Sequence, residues 1–313
     1  MTRRAALLLA VFASIALAAP WAAPYAPGRA FRDALHAPPM RPVLNGIGAP
    51  VAHPIVLADR LAQRFDVQLE RTVPLPWFSG QPDADPVFLL GADSFGRDVL
   101  SRLLYGARTS IGLALVATLG ALWIGALAGA WAGARGGWAD EVVMRVADFL
   151  LVLPVIYCVL VLRAALPLVL PPATVFVLMS GIFVAVGWPH VARGVRAIVA
   201  VERHREYVVA ARSMGASPTR VLARHLLPAC GGYLLVQASL LLPAFILAEA
   251  TLSFVGLGFA DPVASWGTML TEAAGVGAIA RFPWTLAPAV AIFAVVLSVN
   301  AVLAADGRLT KAL

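Results

Sequence analysis

The stretch Glu206–Pro228, EYVVAARSMGASPTRVLARHLLP, is a basic island between two strongly apolar segments. A helix-favouring run, Glu206–Met214, stops at Gly215, the residue type that best tolerates a left-handed helix end. Ser217 followed by Pro218 is an N-cap with a first-turn proline, which predicts that a second helix begins there. The stretch therefore predicts two short helices joined by a Gly-Ala elbow. Local chemistry leaves two interpretations open, a docking surface or an ordinary arginine-rich loop.

Apolar segments on both sides of this island place the chain among membrane proteins. The sequence is 60% hydrophobic and 13% charged, with a mean hydropathy of +0.83. Runs close to the roughly 20 residues that cross a bilayer recur along it. The six predicted spans are approximately 5–23, 109–132, 142–166, 173–188, 231–257 and 284–305. Because these runs are continuous rather than alternating, they predict an all-α polytopic membrane protein with six transmembrane helices.

The first apolar segment has a second interpretation. Arginines at positions 3 and 4, followed by the apolar residues 5–19, resemble a secretory signal peptide with small residues near a cleavage point. Five further apolar spans follow, so we predict that this segment is retained as the first transmembrane helix.

The distribution of arginine predicts the topology. The loop between the fourth and fifth spans, residues 189–230, holds seven arginines and two acids, Glu202 and Glu206. The positive-inside rule places this loop, and with six spans both termini, in the cytoplasm. Residues 24–108 carry nine arginines balanced by eight acids, and long loops cross the membrane largely regardless of charge. We therefore attribute most of the net charge of +7 to arginines that set the membrane topology. We predict contact with membrane lipid and none with nucleic acid.

The sequence lacks the residue patterns that several classes of enzyme require. Lys311 is the single lysine, so the chain has no Gly-Lys-Ser/Thr phosphate loop and we predict no ATPase site of its own. Patterns for a nucleophile elbow, a zinc protease or paired catalytic carboxylates are not evident. Cys158 and Cys230 are not expected to form a disulfide, and the five histidines have no metal-ligand spacing. We predict a protein that is not an enzyme and binds neither a metal nor a cofactor.

Polar residues inside the spans are candidate pathway residues because burying them in lipid is costly. Glu249 lies in the fifth span and Asn300 in the sixth, and each could line a pathway or make an interhelical hydrogen bond. Asp148 lies in the third span, where Arg145 is a possible i, i+3 partner, although an interhelical hydrogen bond or a helix-end position is favoured for it. The pair Gly125 and Gly129 predicts close helix packing, but such pairs are common in membrane helices.

Residues 206–215, EYVVAARSMG, followed by 225–228, HLLP, resemble the EAA loop of permease subunits from binding-protein-dependent ABC importers. The subfamily that the chain resembles is the dipeptide, oligopeptide and nickel type, and specifically the second of its two paired permeases. The supporting blocks are LGADSFGRDVLSR at 90–102, YGAR at 105–108, ILAEA at 246–250, LSFVGLG at 252–258 and SWG at 265–267.

The resemblance implies an ABC importer type I permease fold and an alternating-access mechanism. Residues 1–24 would form the first helix, 25–108 an extracytoplasmic insertion with the GRD block, and 109–313 a five-helix core with the coupling loop 189–230. The implied ATPase-coupling residues are Glu206, Tyr207, Ala210, Ala211, Gly215, Ala216, Ser217, His225, Leu227 and Pro228.

The same resemblance implies the partners and the location. They are a second permease, two cytoplasmic ATPase subunits that bind ATP and magnesium, and an extracytoplasmic solute-binding protein, in a bacterial inner membrane. Peptide is the favoured solute, with nickel chelates, oligosaccharides and opines left open. A secondary transporter driven by an ion gradient and a non-transporting membrane scaffold are the rival classes. The first would need ion ligands and an internal repeat, neither of which is evident in the sequence.

Two features depart from the family pattern. Val209 stands where the family has a glutamate before its two alanines, which leaves Glu206 as the one acid of that helix. Residues 24–86 are longer than the subfamily leads us to expect. Within them, Leu57, Leu61 and Phe65 recur every four residues and predict a short amphipathic helix over residues 56–71. This insertion would contact the partner permease or the binding protein, or have no direct role.

Overall fold

The computed structural model of the protein is predominantly helical and contains two compact units. It describes residues 14, 18–45, 48–60, 62–77, 85–153, 157, 170–275 and 277–305. Within these residues, the helical unit comprises Leu113–Ala248 and 297–305, and the mixed unit comprises residues up to Gly112 together with Glu249–Val296. The three-part division expected from the sequence stays a prediction.

Ten labelled helices lie in the described residues. They are α1 (Val99–Arg135), α2 (Gly137–Val152), α3 (Pro172–Glu202), α4 (Glu206–Ser213), α5 (Pro218–Val221), α6 (Leu227–Ala229), α7 (Gly231–Phe254), α8 (Trp266–Ala273), α9 (Ala278–Arg281) and α10 (Ala287–Ala305). A π-helical turn, Leu222–Leu226, lies between α5 and α6, and a 3₁₀ turn, Pro283–Leu286, precedes α10.

Four of the predicted spans correspond to helices that are long and apolar enough to cross a membrane. They are α1, α3, α7 and the segment Pro283–Ala301, which contains most of α10. The first predicted span lies largely outside the described residues, and the third is described mainly through α2. The helical character is therefore confirmed, and the count of six stays a prediction.

Within the helical unit, glycines spaced every four residues let α1 approach α3 closely. Gly125, Gly129 and Gly133 share one face of α1 because residues four apart are neighbours on a helix. A Cβ added at Gly129 would lie 2.3 Å from the carbonyl oxygen of Ala192, and one at Gly125 would lie 2.5 Å from Cβ of Val191. The close packing predicted for the Gly125 and Gly129 pair is confirmed.

Helix α3 continues well past the end predicted for the fourth span at residue 188. Pro189 lies inside the helix, and the chain stays helical as far as Glu202. The continuation is stable because Val191, Val195 and Val199 recur every four residues and are all fully buried. The predicted span ended immediately before this proline, whereas a membrane helix tolerates proline when neighbouring groups compensate for the lost hydrogen bond. Residues 189–202 are therefore helix and not loop.

Arginines on this continuation of α3 join it to α2. Arg193 pairs with Asp148, and the guanidinium of Arg196 donates to both carboxylate oxygens of Asp140, with Nε 2.8 Å from Oδ1. Arg145, the possible partner of Asp148 within α2, pairs instead with Glu141 one turn earlier on that helix. The interhelical interaction favoured for Asp148 is confirmed.

The mixed unit contains two small antiparallel sheets. Strands β1 (Pro42–Leu44), β2 (Pro50–Ala52) and β5 (Val73–Pro74) form one sheet in the order β1-β2-β5, and β3 (Ile55–Asp59) pairs with β4 (Arg64–Val67). Their core holds Ala34, Ala37, Met40, Ala52, Val73, Leu75, Val87, Phe88 and Ala92.

The amphipathic helix predicted over residues 56–71 is wrong, because these residues contribute to the β3–β4 hairpin. Alternate side chains of β3, Ile55 and Leu57, are half-buried, while Val56 between them is exposed. This is the two-residue period of a strand, and the β-branched and aromatic residues here favour extended backbone. The four-residue spacing of Leu57, Leu61 and Phe65 was therefore the weaker signal.

Candidate functional site

We call the whole stretch Glu206–Pro228 the elbow. Its first helix, α4, ends in a hydrogen-bonded Schellman motif. Gly215 adopts a φ of +84°, and its N–H donates to the carbonyl of Arg212 at 2.9 Å. The N–H of Ala216 reaches back to the carbonyl of Ala211 at 3.0 Å. These two bonds satisfy carbonyls that the end of a helix leaves free, and they require a left-handed residue at the elbow. The helix end predicted at Gly215 is confirmed.

The second helix of the elbow begins where its sequence predicts and then changes from an α-helix to a π-helical turn. Ser217 caps α5 by accepting from the N–H of Arg220 at 3.4 Å, and Pro218 occupies the first turn. The chain continues through the π-helical turn Leu222–Leu226 into α6. The π turn was not predicted, because no single residue type specifies one, and such turns often occur at functional sites.

Both halves of the elbow are anchored to the helical unit by buried aliphatic residues. Val208 of α4, together with Val221 and Leu226 of the second half of the elbow, belongs to one fully buried cluster with α3. The complete cluster is Ala130, Val191, Val195, Val199, Val208, Val221, Leu226 and Cys230. Because these side chains are buried together and buried side chains pack closely, we expect a displacement of the elbow to displace α3 as well. The elbow is a folded part of the helical unit rather than a tether.

The first helix of the elbow and its end carry exposed apolar side chains. Met214 is 83% exposed, Val209 51% and Tyr207 45%, and Gly215 after them leaves open space where a Cβ would lie. Several exposed apolar residues close together in the chain are typical of an interaction surface. Val209 is exposed and not in the core, so the missing glutamate changes the surface of the elbow and not its packing.

The structure brings the predicted coupling residues together but gives them different environments. Those that are exposed are Glu206, Tyr207, Ala210, Gly215, Ser217 and Pro228; those that are half-buried are Ala216, His225 and Leu227; and Ala211 is buried. The rings of Tyr207 and His225 lie 6.0 Å apart, so the two halves of the elbow approach each other there. Ala211 accordingly supports the elbow from inside rather than contributing to its surface.

A polar junction connects the elbow to α3 and to the end of α1. The hydroxyl of Tyr207 donates to the carboxylate of Glu202 at 2.6 Å, and this interaction raises the pKa of the phenol. Next to it, Nη1 of Arg203 donates to the carbonyl oxygens of Gly133 and Ala134 at 3.2 and 3.3 Å. Arg203 could not be distinguished by sequence from the other arginines of this region, because its partners are backbone atoms that no motif reveals.

The two polar residues predicted inside the spans differ in burial. Glu249, near the end of α7, is fully buried and accepts a 2.8 Å hydrogen bond from the hydroxyl of Ser253. Its Oε2 has no hydrogen-bond partner among the described residues. Asn300 of α10 is exposed. The surroundings of Glu249 are those of an enclosed helix position, and a pathway role for either residue stays a prediction.

In the mixed unit, the GRD block forms a buried ion-pair network. Arg97 contacts Asp93 at 2.5 Å, Asp261 at 3.1 Å and Glu272 at 3.3 Å, and only 7% of its side chain is exposed. The side chain of Arg102, 1% exposed, contacts Asp93 at 3.4 Å and Asp261 at 3.2 Å. The network ties the residues before α1 to the loop before α8 and to α8 itself. The four-residue spacing of Asp93 and Arg97 was the signal in the sequence that could have revealed it.

Carboxyl groups outnumber guanidinium groups in this network, and two of them hold protons more tightly than usual. Burial and the nearby charge of Asp93 raise the pKa of Glu272 from its ordinary 4.5 to about 7. Burial raises the pKa of Asp98 to about 6, although the hydroxyl and the N–H of Ser101 oppose the shift by donating to it. Both groups are therefore partly protonated near neutral pH, which limits the repulsion among the buried acids.

Metal ligation finds no support in the described part of the chain, where no group of three or more His, Cys, Asp or Glu side chains could hold an ion. The free thiol of Cys230 is buried in the cluster behind the elbow, and it donates a 3.4 Å hydrogen bond to the carbonyl of Leu226. The chemistry available at the elbow is therefore apolar contact, hydrogen bonding and charge.

Comparison with known proteins gives a consistent result. Residues 121–307 match a family described as the binding-protein-dependent transport system inner membrane component. The oligopeptide transport system permease protein OppC of Bacillus subtilis is 39% identical over 196 residues, which cover 63% of this chain and 62% of that protein. The chain thus spans less than two thirds of that relative. The di/tripeptide transport system permease protein DppC of Pseudomonas aeruginosa is 35% identical over 295 residues, which cover 94% of this chain and 81% of the relative.

A solved structure is also similar. A chain of the MetNI methionine ABC transporter in an inward-facing conformation aligns with a TM-score of 0.49 and 16% sequence identity. The alignment covers 66% of this chain and 96% of that one.

Proposed function

This chain belongs to the family of inner membrane components of binding-protein-dependent transport systems, and from that premise we propose that it couples ATP hydrolysis to solute movement through residues 206–228. It is a multi-pass inner-membrane permease subunit of an ABC importer, and the resemblance to the peptide type is confirmed. The proposal adds the surface through which energy reaches the chain and the solute that it carries.

The packing of the elbow on one side and its exposure on the other are the observations that support this proposal. Its buried side chains are packed into the α3 cluster, while Val209 of α4 and Met214 at the end of that helix are exposed to solvent. A surface that is packed into the protein on one side and apolar on the other is suited to bind a partner and to transmit that partner's movement. We therefore propose that an ATPase subunit binds this outer face and moves α3 through the buried cluster.

The orientation and the assembly follow from the proposal. The arginine-rich elbow and both termini face the cytoplasm, where ATP is available, in agreement with the positive-inside rule. A second permease supplies the other half of the path, and two ATPase subunits bind ATP and magnesium. An extracytoplasmic solute-binding protein delivers the solute at the other face. This chain binds no nucleotide itself, because its sequence has no phosphate loop.

The proposed solute is a peptide. Relatives that match this chain are described as oligopeptide, dipeptide and di/tripeptide transport permeases. Because a permease forms only half of the path, the length and the sequence of the peptide would be selected largely outside this chain.

Site-specific crosslinking tests the docking surface. A photoreactive amino acid at Met214, which is 83% exposed, is expected to crosslink to the ATPase subunit when the complete importer is expressed. The same amino acid at Leu44, 74% exposed on β1 of the mixed unit, is the control and is expected to give no ATPase adduct. Mass spectrometry of the adducts identifies the partner. Absence of an ATPase adduct at position 214, or equal adducts at both positions, would contradict the proposed surface.

A further inference from the structure

The end of α1 is held by a side chain from the junction that precedes the elbow. The last carbonyl groups of a helix have no partner inside the helix, and they carry the negative end of its dipole. In α1 the carbonyl of Ala132 is satisfied by the N–H of Gly136 at 2.8 Å. The next two, at Gly133 and Ala134, both accept from Nη1 of Arg203. A cation thus completes the C-terminal end of this helix from a different segment of the chain.

Because of its position in the chain, Arg203 links the end of α1 to the end of α3 as well as capping α1. Arg203 is the C-cap of α3, and its own N–H donates to the carbonyl of Val199 at 3.0 Å. The residue before it, Glu202, accepts the hydroxyl of Tyr207 from the first turn of the elbow. Two adjacent residues therefore join the elbow to the end of α1, one through a side chain of the elbow and the other through the backbone of α1.

The other arginines on the same side of α3 make a different kind of contact. Arg193 and Arg196 pair with the carboxylates of Asp148 and Asp140, which fasten α3 to α2. Arg203 donates to two carbonyl oxygens of α1 and, through Nε, to Nε2 of His204 at 3.1 Å. Because the guanidinium group is planar, these donations fix its orientation. The end of α1 must therefore follow residue 203 when the junction moves.

We propose that Arg203 is a positioning residue for coupling, which passes displacement of the elbow to the end of α1. The inference rests on the proposed function and deepens it. The buried cluster connects the elbow to α3 and, through Ala130, to α1, and Arg203 adds a polar connection to the C-terminal end of α1. Without it, ATP hydrolysis by the partner continues, but the end of α1 follows the elbow less closely and solute movement falls behind hydrolysis.

The test measures ATP hydrolysis and peptide uptake together in proteoliposomes that contain the complete importer, with labelled trialanine as the probe. Arg203→Gln is expected to lower uptake about tenfold while ATP hydrolysis changes by less than about twofold, since it removes a charge-assisted hydrogen bond. Arg203→Lys keeps the charge and can donate to one carbonyl, so it is expected to restore much of the uptake. Arg145→Gln removes the same charge from an exposed pair on α2 and is expected to leave both activities unchanged.

The outcomes separate this inference from the proposed function. A parallel loss of hydrolysis and uptake in Arg203→Gln, including a loss through failed assembly, gives Arg203 a purely structural role and overturns the inference. Unchanged uptake in that variant, or no recovery in Arg203→Lys, overturns it as well. If the unmodified importer itself takes up no trialanine with ATP, the proposed function fails whatever the Arg203 variants do.

Discussion

Replacing Gly215 by aspartate is expected to lower peptide uptake by at least about tenfold, the equivalent of about 1.4 kcal/mol at the docking surface, and to leave the protein inserted. Gly215 has a φ of +84°, and a Cβ there would meet no heavy atom within 4 Å. The added side chain would therefore meet open space; a positive φ strains residues other than glycine, and aspartate is among the types that adopt it most readily. Its carboxylate would instead enter the apolar face between the elbow and its partner, where an unpaired charge is costly.

The measurement is uptake of labelled trialanine by cells, with the amount of membrane-inserted protein determined by immunoblotting. Gly277→Asp is the matched control, because Gly277 has a φ of +75° and equally open surroundings but precedes α9 in the mixed unit. We expect near-normal uptake from this control. Normal uptake by Gly215→Asp would count against the coupling role of the elbow, and equal loss in both variants would indicate backbone strain instead.

Replacing Arg102 by methionine is expected to destabilise the mixed unit by about 3–5 kcal/mol, the range measured when one partner of a buried ion pair is removed. Methionine fills much of the space that the arginine side chain occupies, but it carries no charge. Asp93, 4% exposed, and Asp261 would therefore each lose one cationic partner. The melting temperature of the purified protein in detergent should fall by on the order of 5–10 °C. Thermal unfolding followed by intrinsic fluorescence measures the change.

An exposed ion pair of the same unit provides the comparison. Arg60 lies 2.8 Å from Asp33, but the two side chains are 77% and 76% exposed. Exposed pairs contribute about 0–1 kcal/mol, so Arg60→Met is expected to leave the melting temperature nearly unchanged. If both variants shift it equally, or if Arg102→Met does not shift it, the GRD block does not stabilise the fold through its buried charges.

The elbow could be predicted from its sequence because each of its parts has a local cause. Gly215 is the residue that a left-handed helix end favours, and Ser217 with Pro218 specifies the start of the next helix. The spans described here were predictable for a similar reason, since length and apolar composition together indicate a membrane helix. Their close packing followed from the small residues, Gly125 and Gly129, on one face of α1.

The features that could not be predicted depend on partners distant in sequence. Helix α3 passes through Pro189 because buried valines beyond it have a core to pack against. The β3–β4 hairpin forms where the spacing of Leu57, Leu61 and Phe65 favoured a helix, since strand pairing outweighs a short helical pattern. The contacts of Arg102 with Asp261 and of Arg203 with Gly133 join residues more than sixty positions apart, so no local pattern specifies them.

Uptake by the assembled importer is expected to require both ATP and a separate ATPase chain. The measurement is accumulation of labelled trialanine by proteoliposomes that contain this chain, its partner permease and the ATPase subunits, with binding protein outside and ATP inside. We predict accumulation that stops when either the ATP or the ATPase subunits are omitted, whatever ion gradient is imposed. Accumulation that persists without the ATPase subunits and follows a proton or sodium gradient would contradict the account.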